Sequence, residues 1–279
     1  MSQSESNDVV GVARDYYNSD DADSFYATVW GGEDIHIGLY RDEQESIATA
    51  SRRTVEQMAE RLGQITPAMR VLDLGAGYGG TARYLAERFG CHVTCLNLSE
   101  VQNERNRRMN REQGLDEKIR VVDGNFEQVD EPDASFDIIW SQDAFLHSGR
   151  RDTIIGEIAR LLKPGGQAIF TDPMQSDDCP EGVLGPVLAR IHLDSMGSPG
   201  FYRQSAQRHG LEPIGWDDHS QQLTTHYSRV RDEIIQRHDE LRTVCSEAYI
   251  ERMKAGLQHW VDAGRSGYLC WGILQLKKP

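Results

Sequence analysis

The sequence predicts an α/β fold built on a doubly wound, mostly parallel sheet. Three observations carry that prediction: short apolar runs recur at regular intervals, helically spaced stretches follow them, and the first run ends in a glycine-rich turn. Met69 to Leu74 is the first strand, stopped at Gly75. In Thr81 to Phe89 the apolar positions Ala82, Leu85, Ala86 and Phe89 fall three or four apart, and Gly90 ends the helix. His92 to Asn97 is the second strand, Ser99 caps a helix running to about Gln113, and Ile119 to Asp123 is the third strand. Phe136 to Ser141 is the fourth. A helix from about Arg151 to Leu162 then ends at Lys163-Pro-Gly-Gly166, and Gln167 to Asp172 is the fifth strand. Pro173 to Gly200 breaks the period with Pro180, Pro186 and Pro199 and reads as an inserted cap over the strand ends. Thr224 to Gly264 hold two helical patterns parted near Ser246, and Gly267 to Leu276 is a final apolar strand. Val9 to Trp30, with Tyr16, Tyr17, Phe25, Tyr26 and Trp30, reads as helices laid across the open end of the sheet. These pieces make one domain in four parts: a helical region 1–66, a core 67–172, a cap 173–210 and a C-terminal part of the core 211–279.

Composition narrows the function. Of 279 residues, 44 are acidic and 30 basic, a net charge of −14 that repels phosphate backbones and anionic lipid, so neither nucleic acid nor membrane is an expected partner. Mean hydropathy is −0.58 and no apolar run approaches a membrane span. The polar, acidic stretch Met1 to Asp8 lacks the pattern of a secretion signal, which makes the cytoplasm the expected compartment. The acidic excess also fits a salty cytoplasm. Cys91, Cys95, Cys179, Cys245 and Cys270 are odd in number and lack C-x-x-C spacing, so buried reduced thiols are expected and a metal site is not.

Asp73-x-Gly75-x-Gly77-x-Gly79 falls at a strand-to-helix turn, where absent side chains let backbone N–H groups approach a ligand. By itself the turn fits a dinucleotide site or a plain tight turn. A dinucleotide site wants an acidic residue at the end of the second strand, and the chain has Asn97 there.

The string VLDLGAGYGG (71–80), with Asn97-Leu-Ser99, Asp123-Gly-Asn-Phe126 and LLKPGG (161–166) in order, resembles the class I S-adenosylmethionine-dependent methyltransferases. The resemblance implies their Rossmann-like sheet, with an antiparallel last strand, and S-adenosylmethionine as methyl donor. Carried over, Asp73, Gly75 and Gly77 hold the methionine part, Asn97 with Leu98 and Gln102 the ribose, and Asp123 with Gly124, Asn125 and Phe126 the adenine, while Gln142 joins them from the fourth strand's end. Asn97 departs from the family carboxylate, yet an amide both donates and accepts. Phe126 fits either the adenine face or the core.

A closer resemblance covers nearly the whole chain. NSDDADSFYATVWGGEDIHIGLY (18–40), CLNLSEVQNERNR (95–107), WSQDAFLHS (140–148), FTDPMQSDDCPEG (170–182) and GYLCWGI (267–273) look like the sarcosine/dimethylglycine N-methyltransferases of betaine synthesis. It implies N-methylation of sarcosine or dimethylglycine to glycine betaine, an osmolyte; a monomer or weak homo-oligomer is expected. Methyl transfer to an amine needs the amine's lone pair, and His147, just past the fourth strand, is the candidate base. QDAFLH (142–147) also resembles the matching stretch of phosphoethanolamine methyltransferases, which implies a His147–Tyr pair with Tyr17 or Tyr26; the bland alternative is a helix-capping His147 among core aromatics. Trp30, Tyr26 and Tyr17 can offer electron-rich faces to cations, and Asp143 joins them as a substrate contact. Arg190, His192 and Arg203 are the candidates for the substrate carboxylate, with the choice open. Met174 lines the pocket or fills a gap in the core. The competing functions are methylation of phosphoethanolamine or another small amine, which wants a basic cluster that is not evident, and cofactor binding without catalysis.

Overall fold

A computed structural model of the chain describes residues 11, 14, 15, 17–30, 32–42, 44–191 and 193–279, so Tyr16 and Val9 lie outside the described residues. In chain order the strands are β1 (Arg70–Leu74), β2 (His92–Asn97), β3 (Ile119–Asp123), β4 (Phe136–Gln142), β5 (Leu162–Thr171), β6 (Met174–Gln175), β7 (Glu212–Asp218), β8 (Leu269–Cys270) and β9 (Gly272–Lys277). Seven of them form one sheet in the order β3-β2-β1-β4-β5-β9-β7, and β6 pairs with β8 apart from it. β1 to β5 run parallel, while β9 lies antiparallel to both β5 and β7. The doubly wound sheet with an antiparallel last strand is the expected class.

The helices are α1 (Asp20–Val29), α2 (Ile47–Leu62), α3 (Gly80–Phe89), α4 (Glu100–Glu112), α5 (Arg151–Leu161), α6 (Gly185–Ile191), α7 (Pro199–Arg208), α8 (Ser220–Gln236), α9 (His238–Leu241) and α10 (Glu247–Arg265). Serine side chains start several: Ser19, Ser46, Ser99, Ser198 and Ser246 each accept a backbone N–H that the first turn would otherwise leave unpaired. One face of the sheet is closed by α2 and α3 through Val55, Met58, Ala82, Leu85 and Trp140. The other is closed by α5 and α7 through Ile154, Ile155, Ile158, Tyr202 and Ala206. α1 packs with α8 and α10 in a third cluster of Phe25, Trp30, Val230, Ile234 and Tyr249.

Three local readings change. Lys163-Pro-Gly-Gly166 does not separate helix from strand: β5 starts at Leu162 and contains it. Leu162 pairs with Phe136, the register then shifts, and Gly165 at φ +80 gives its N–H to the Lys278 carbonyl while Gly166 accepts from Lys278. Neighbours on both sides therefore absorb the turn signal as a bulge. β7 was not expected, because Pro213 and Gly215 break its pattern; it is an edge strand with a register shift there, the place where a missing N–H is tolerated. The final strand is two, parted at Trp271. All five cysteines are free, and all but Cys179 are buried. Among the described residues no helix is long and apolar enough to cross a membrane.

The glycine turn is tight on both sides. Gly79 has φ +78, and a Cβ there would lie 2.2 Å from Asn106 Oδ1 on α4. Gly79→Ala is therefore expected to destabilise the fold by about 2 kcal/mol or more, read as a lower urea midpoint at unchanged slope; an unchanged midpoint would mean that Asn106 gives way and the left-handed backbone is unstrained.

Candidate functional site

Strand ends and the turns after them build one cavity. Gly75 (φ +80) and Gly77 (φ +52) turn the chain out of β1, and a Cβ on Gly75 would lie 2.4 Å from Ala144 Cβ, so the turn backs directly on the exit of β4. The cavity is lined by Asp73, Gly75 and Gly77 from the first turn, by Asn97, Leu98 and Gln102 after β2, and by Gly124, Asn125 and Phe126 after β3, with Gln142 from β4. Asn97 Nδ2 donates to Gln102 Oε1 at 3.0 Å, which fixes the amide at the end of β2. Gln142 Oε1 accepts from Thr81 Oγ1 (2.7 Å) and Trp140 Nε1 (2.9 Å), leaving its buried Nε2 without a partner among the described residues.

Charge in this cavity is negative and buried. Burial first, and the nearby Asp34 second, push the Asp73 carboxyl up to about 7. Asp34 is 5% exposed, pairs with Arg52 at 2.9 Å and keeps Oδ1 without a hydrogen bond among the described residues. A glycine cradle, an aromatic face, an unsatisfied amide donor and two buried carboxylates fit an adenosyl group joined to a cationic amino acid. Asp123, expected among these residues, does not line the cavity: its carboxylate is held by Asn103 Nδ2 (2.7 Å) and Arg107 Nη2 (2.6 Å) of α4, whose first two turns reach back over β3.

A second cavity adjoins the first, and Tyr17, Ile35, His36, Asp143 and His147 line both. His147 ends the 3-10 turn Phe145–His147, where its Nε2 lies 2.9 Å from the Tyr17 hydroxyl with the rings edge to face. Tyr26 sits 5.8 Å from Tyr17, and Trp30 lies 4.9 Å from Tyr26, ring centre to ring centre. Both line the second cavity, so α1 supplies an aromatic wall beside the pair.

Two carboxylates, Asp143 half-buried and Asp172 fully buried, hold the turn that carries His147. Asp143, at φ +52, accepts from Ile37 N (2.7 Å), Thr171 Oγ1 (2.8 Å) and Trp271 Nε1 (2.7 Å). Those oxygens, expected to meet substrate, take three protein donors while the residue still lines both cavities. Asp172 accepts from Leu146 N (2.9 Å) and from the Tyr202 hydroxyl (2.7 Å), and burial pushes its carboxyl up to about 7. Arg151 Nη2 then donates to the carbonyls of Leu146 (3.4 Å) and Ser195 (2.6 Å), linking the turn to the segment after α6.

Of the remaining expectations, Met174 is fully buried in the core beside the sheet and lines neither cavity, because β6 pairs its backbone with β8 and turns the side chain inward. Arg203 is exposed on α7, paired with Asp177 at 3.4 Å, and lines neither cavity. His192 and the side chain of Arg190 lie outside the described residues. The sequence reading missed His36, His226, Tyr249 and Arg252, which line the second cavity. For His226 a signal existed: it stands in the apolar stripe Leu223, His226, Val230, Ile234 of α8, a titratable ring where packing wants a hydrocarbon.

A methyltransferase domain model matches residues 72–170. The chain is 58% identical over 96% of both chains to a sarcosine/dimethylglycine N-methyltransferase of Halorhodospira halochloris, and 55% identical to one of Aphanothece halophytica, covering 97% of this chain and 98% of that one. A solved structure from Galdieria sulphuraria, assigned to the same kind of enzyme, superposes with a TM-score of 0.90 at 45% identity over 94% of this chain and 98% of its own. With identity of this order sustained from end to end, the chain belongs to the sarcosine/dimethylglycine N-methyltransferase family.

Proposed function

We propose that the enzyme moves a methyl group from S-adenosylmethionine to the amino nitrogen of sarcosine and dimethylglycine, the second step yielding glycine betaine. The observation that supports this reading best is the Tyr17–His147 pair, 2.9 Å apart and shared by both cavities, beside the ring wall of Tyr26 and Trp30. An osmoprotective role accords with the net charge of −14, and five unpaired thiols support a reducing compartment, the cytoplasm.

When bound, S-adenosylmethionine supplies a methyl carried by a sulfonium. The protein must present an amine with a free lone pair in line with that methyl and keep water away. Dimethylglycine carries a proton on nitrogen at neutral pH, so a base must take it. His147 Nε2, hydrogen-bonded to the Tyr17 hydroxyl, receives that proton directly or through the phenol oxygen. The C–N bond then forms as the C–S bond breaks and sulfur keeps the electron pair. Trp30, Tyr26 and Tyr17 offer π faces to the ammonium product, contacts worth about 0.5–2 kcal/mol each. Asp143 and Asp172 support this chemistry by fixing the turn under His147.

The reading is tested by S-adenosylhomocysteine formation with glycine, sarcosine, dimethylglycine or phosphoethanolamine. Turnover of the two N-methylated amino acids is expected; turnover of phosphoethanolamine alone would replace the substrate class. His147→Ala is expected to lower kcat about 100-fold or more while S-adenosylhomocysteine affinity, by calorimetry, stays within about twofold; equal losses in both would remove His147 from the proton path.

Asp73 gives a pH signature with a definite sign. Its folded carboxyl is raised to about 7, so near pH 6 it is protonated, and a cation bound beside it must displace that proton. Affinity for S-adenosylhomocysteine should fall as pH drops from about 8 to 6, and Asp73→Asn should flatten the profile. A profile unchanged in that variant would place the titration elsewhere.

A further inference from the structure

The candidates for holding the substrate carboxylate change once the fold is known. Arg203 faces solvent with Asp177, and the second cavity has a volume of about 1020 Å³, far more than a small amino acid fills, so size exclusion cannot select the substrate. Selection requires a placed polar group close to the aromatic wall, because amine and carboxylate are separated by a single carbon.

We infer that His226 of α8 donates its Nε2–H to the carboxylate of the amino-acid substrate and so selects N-methylated amino acids over amines that lack a carboxylate. The inference rests on the reading given under Proposed function and deepens it.

The proton's position follows from the hydrogen bonds. His226 Nδ1 receives the Gly38 backbone N–H at 3.3 Å, which makes that nitrogen an acceptor, and the Tyr40 hydroxyl 2.9 Å away then donates to it as well. The ring proton must therefore sit on Nε2. That nitrogen is buried and has no partner among the described residues, in a residue with no exposed surface that lines the second cavity. Unsatisfied buried donors are rare and destabilising, so an acceptor brought by a ligand is the natural complement. Burial first, and the neighbouring His36 second, hold the imidazole down to about 3, so it stays neutral and its N–H does not titrate near physiological pH.

Location agrees with the short span between amine and carboxylate. The His226 ring lies 5.5 Å from the Trp30 ring, itself 4.9 Å from Tyr26. The other buried imidazole here is already turned to protein groups: His36 Nδ1 lies 3.2 Å from the Ile37 carbonyl and its Nε2 3.9 Å from the Asp34 carboxylate. Arg252, the guanidinium that α10 brings to the cavity, lies over Tyr249 at 5.8 Å.

The test compares dimethylglycine with dimethylaminoethanol, which keeps the tertiary amine and replaces the carboxylate by a hydroxymethyl group. His226→Phe keeps a ring and removes the donor; it should raise KM for dimethylglycine about tenfold or more, change kcat far less, leave dimethylaminoethanol turnover nearly as it was, and leave S-adenosylhomocysteine affinity unaltered. His226→Gln, which retains an N–H, should recover part of the dimethylglycine KM. In the wild-type enzyme with S-adenosylhomocysteine bound, dimethylglycine should shift the ¹⁵N resonance of His226 Nε2 and dimethylaminoethanol should not, a readout that stands even where the Phe variant fails to fold. An unchanged KM in His226→Phe, equal losses for both amines, a silent Nε2 resonance, or loss of dimethylglycine affinity in Arg252→Gln alone would each overturn the assignment. Wild-type enzyme inert toward dimethylglycine would instead remove the proposed function, an outcome separate from these.

Discussion

One half-buried carboxylate ties the turn that carries His147 to the rest of the fold. Asp143 is half-buried between the two cavities, and desolvation raises its pKa, yet it collects a backbone N–H from Ile37, a hydroxyl from Thr171 and an indole N–H from Trp271. Three donors offset the desolvation that an isolated carboxylate would suffer. They come from the N-terminal loop, from β5 and from the joint between β8 and β9, so a single side chain ties both ends of the chain to the sheet. Its φ of +52 also redirects the backbone after β4 into the turn that carries His147.

The consequence is a division of labour between backbone and side chains. Around the glycine turn the protein offers bare backbone, because any Cβ at Gly75 would meet Ala144. Beyond Asp143 the wall is aromatic and nearly neutral. Negative charge is kept on the side of Asp73 and Asp34, where a cation gains most from it, while the far side relies on ring faces and imidazole donors. A charge that is only transferred, from sulfonium to ammonium, is thus met at both ends.

The chamber is assembled from sequence-distant pieces. α1, α8 and α10 share one apolar cluster, and through it Phe25, Trp30, Val230 and Tyr249 set the distance between the aromatic wall and His226. Asp172, Tyr202 and Arg151 carry the same rigidity from the His147 turn into the segment that follows α6. Packing far from the reacting atoms therefore governs their alignment.

The sequence alone determined the class of sheet, the glycine turn and the helix capped by Ser99, because each is a local pattern: period, cap or turn chemistry within a few residues. It also put forward His147 from its place past the fourth strand, and Tyr17 or Tyr26 as its partner on a resemblance, since no spacing rule joins residues 130 apart. Tertiary structure decided the rest. Asp123 was drawn off by Asn103 and Arg107, Asp143 became a structural hub, Met174 turned into the core and Arg203 faced water, each through partners that are remote in sequence. β7 and the bulge at Lys163 to Gly166 were hidden because proline and glycine forbid regular strands only where no neighbour compensates, and which neighbours exist is a property of the closed sheet. The proton on His226 is the clearest case: residue type gave a titratable ring in an apolar stripe, but only the folded positions of Gly38 and Tyr40 fix which nitrogen carries the hydrogen.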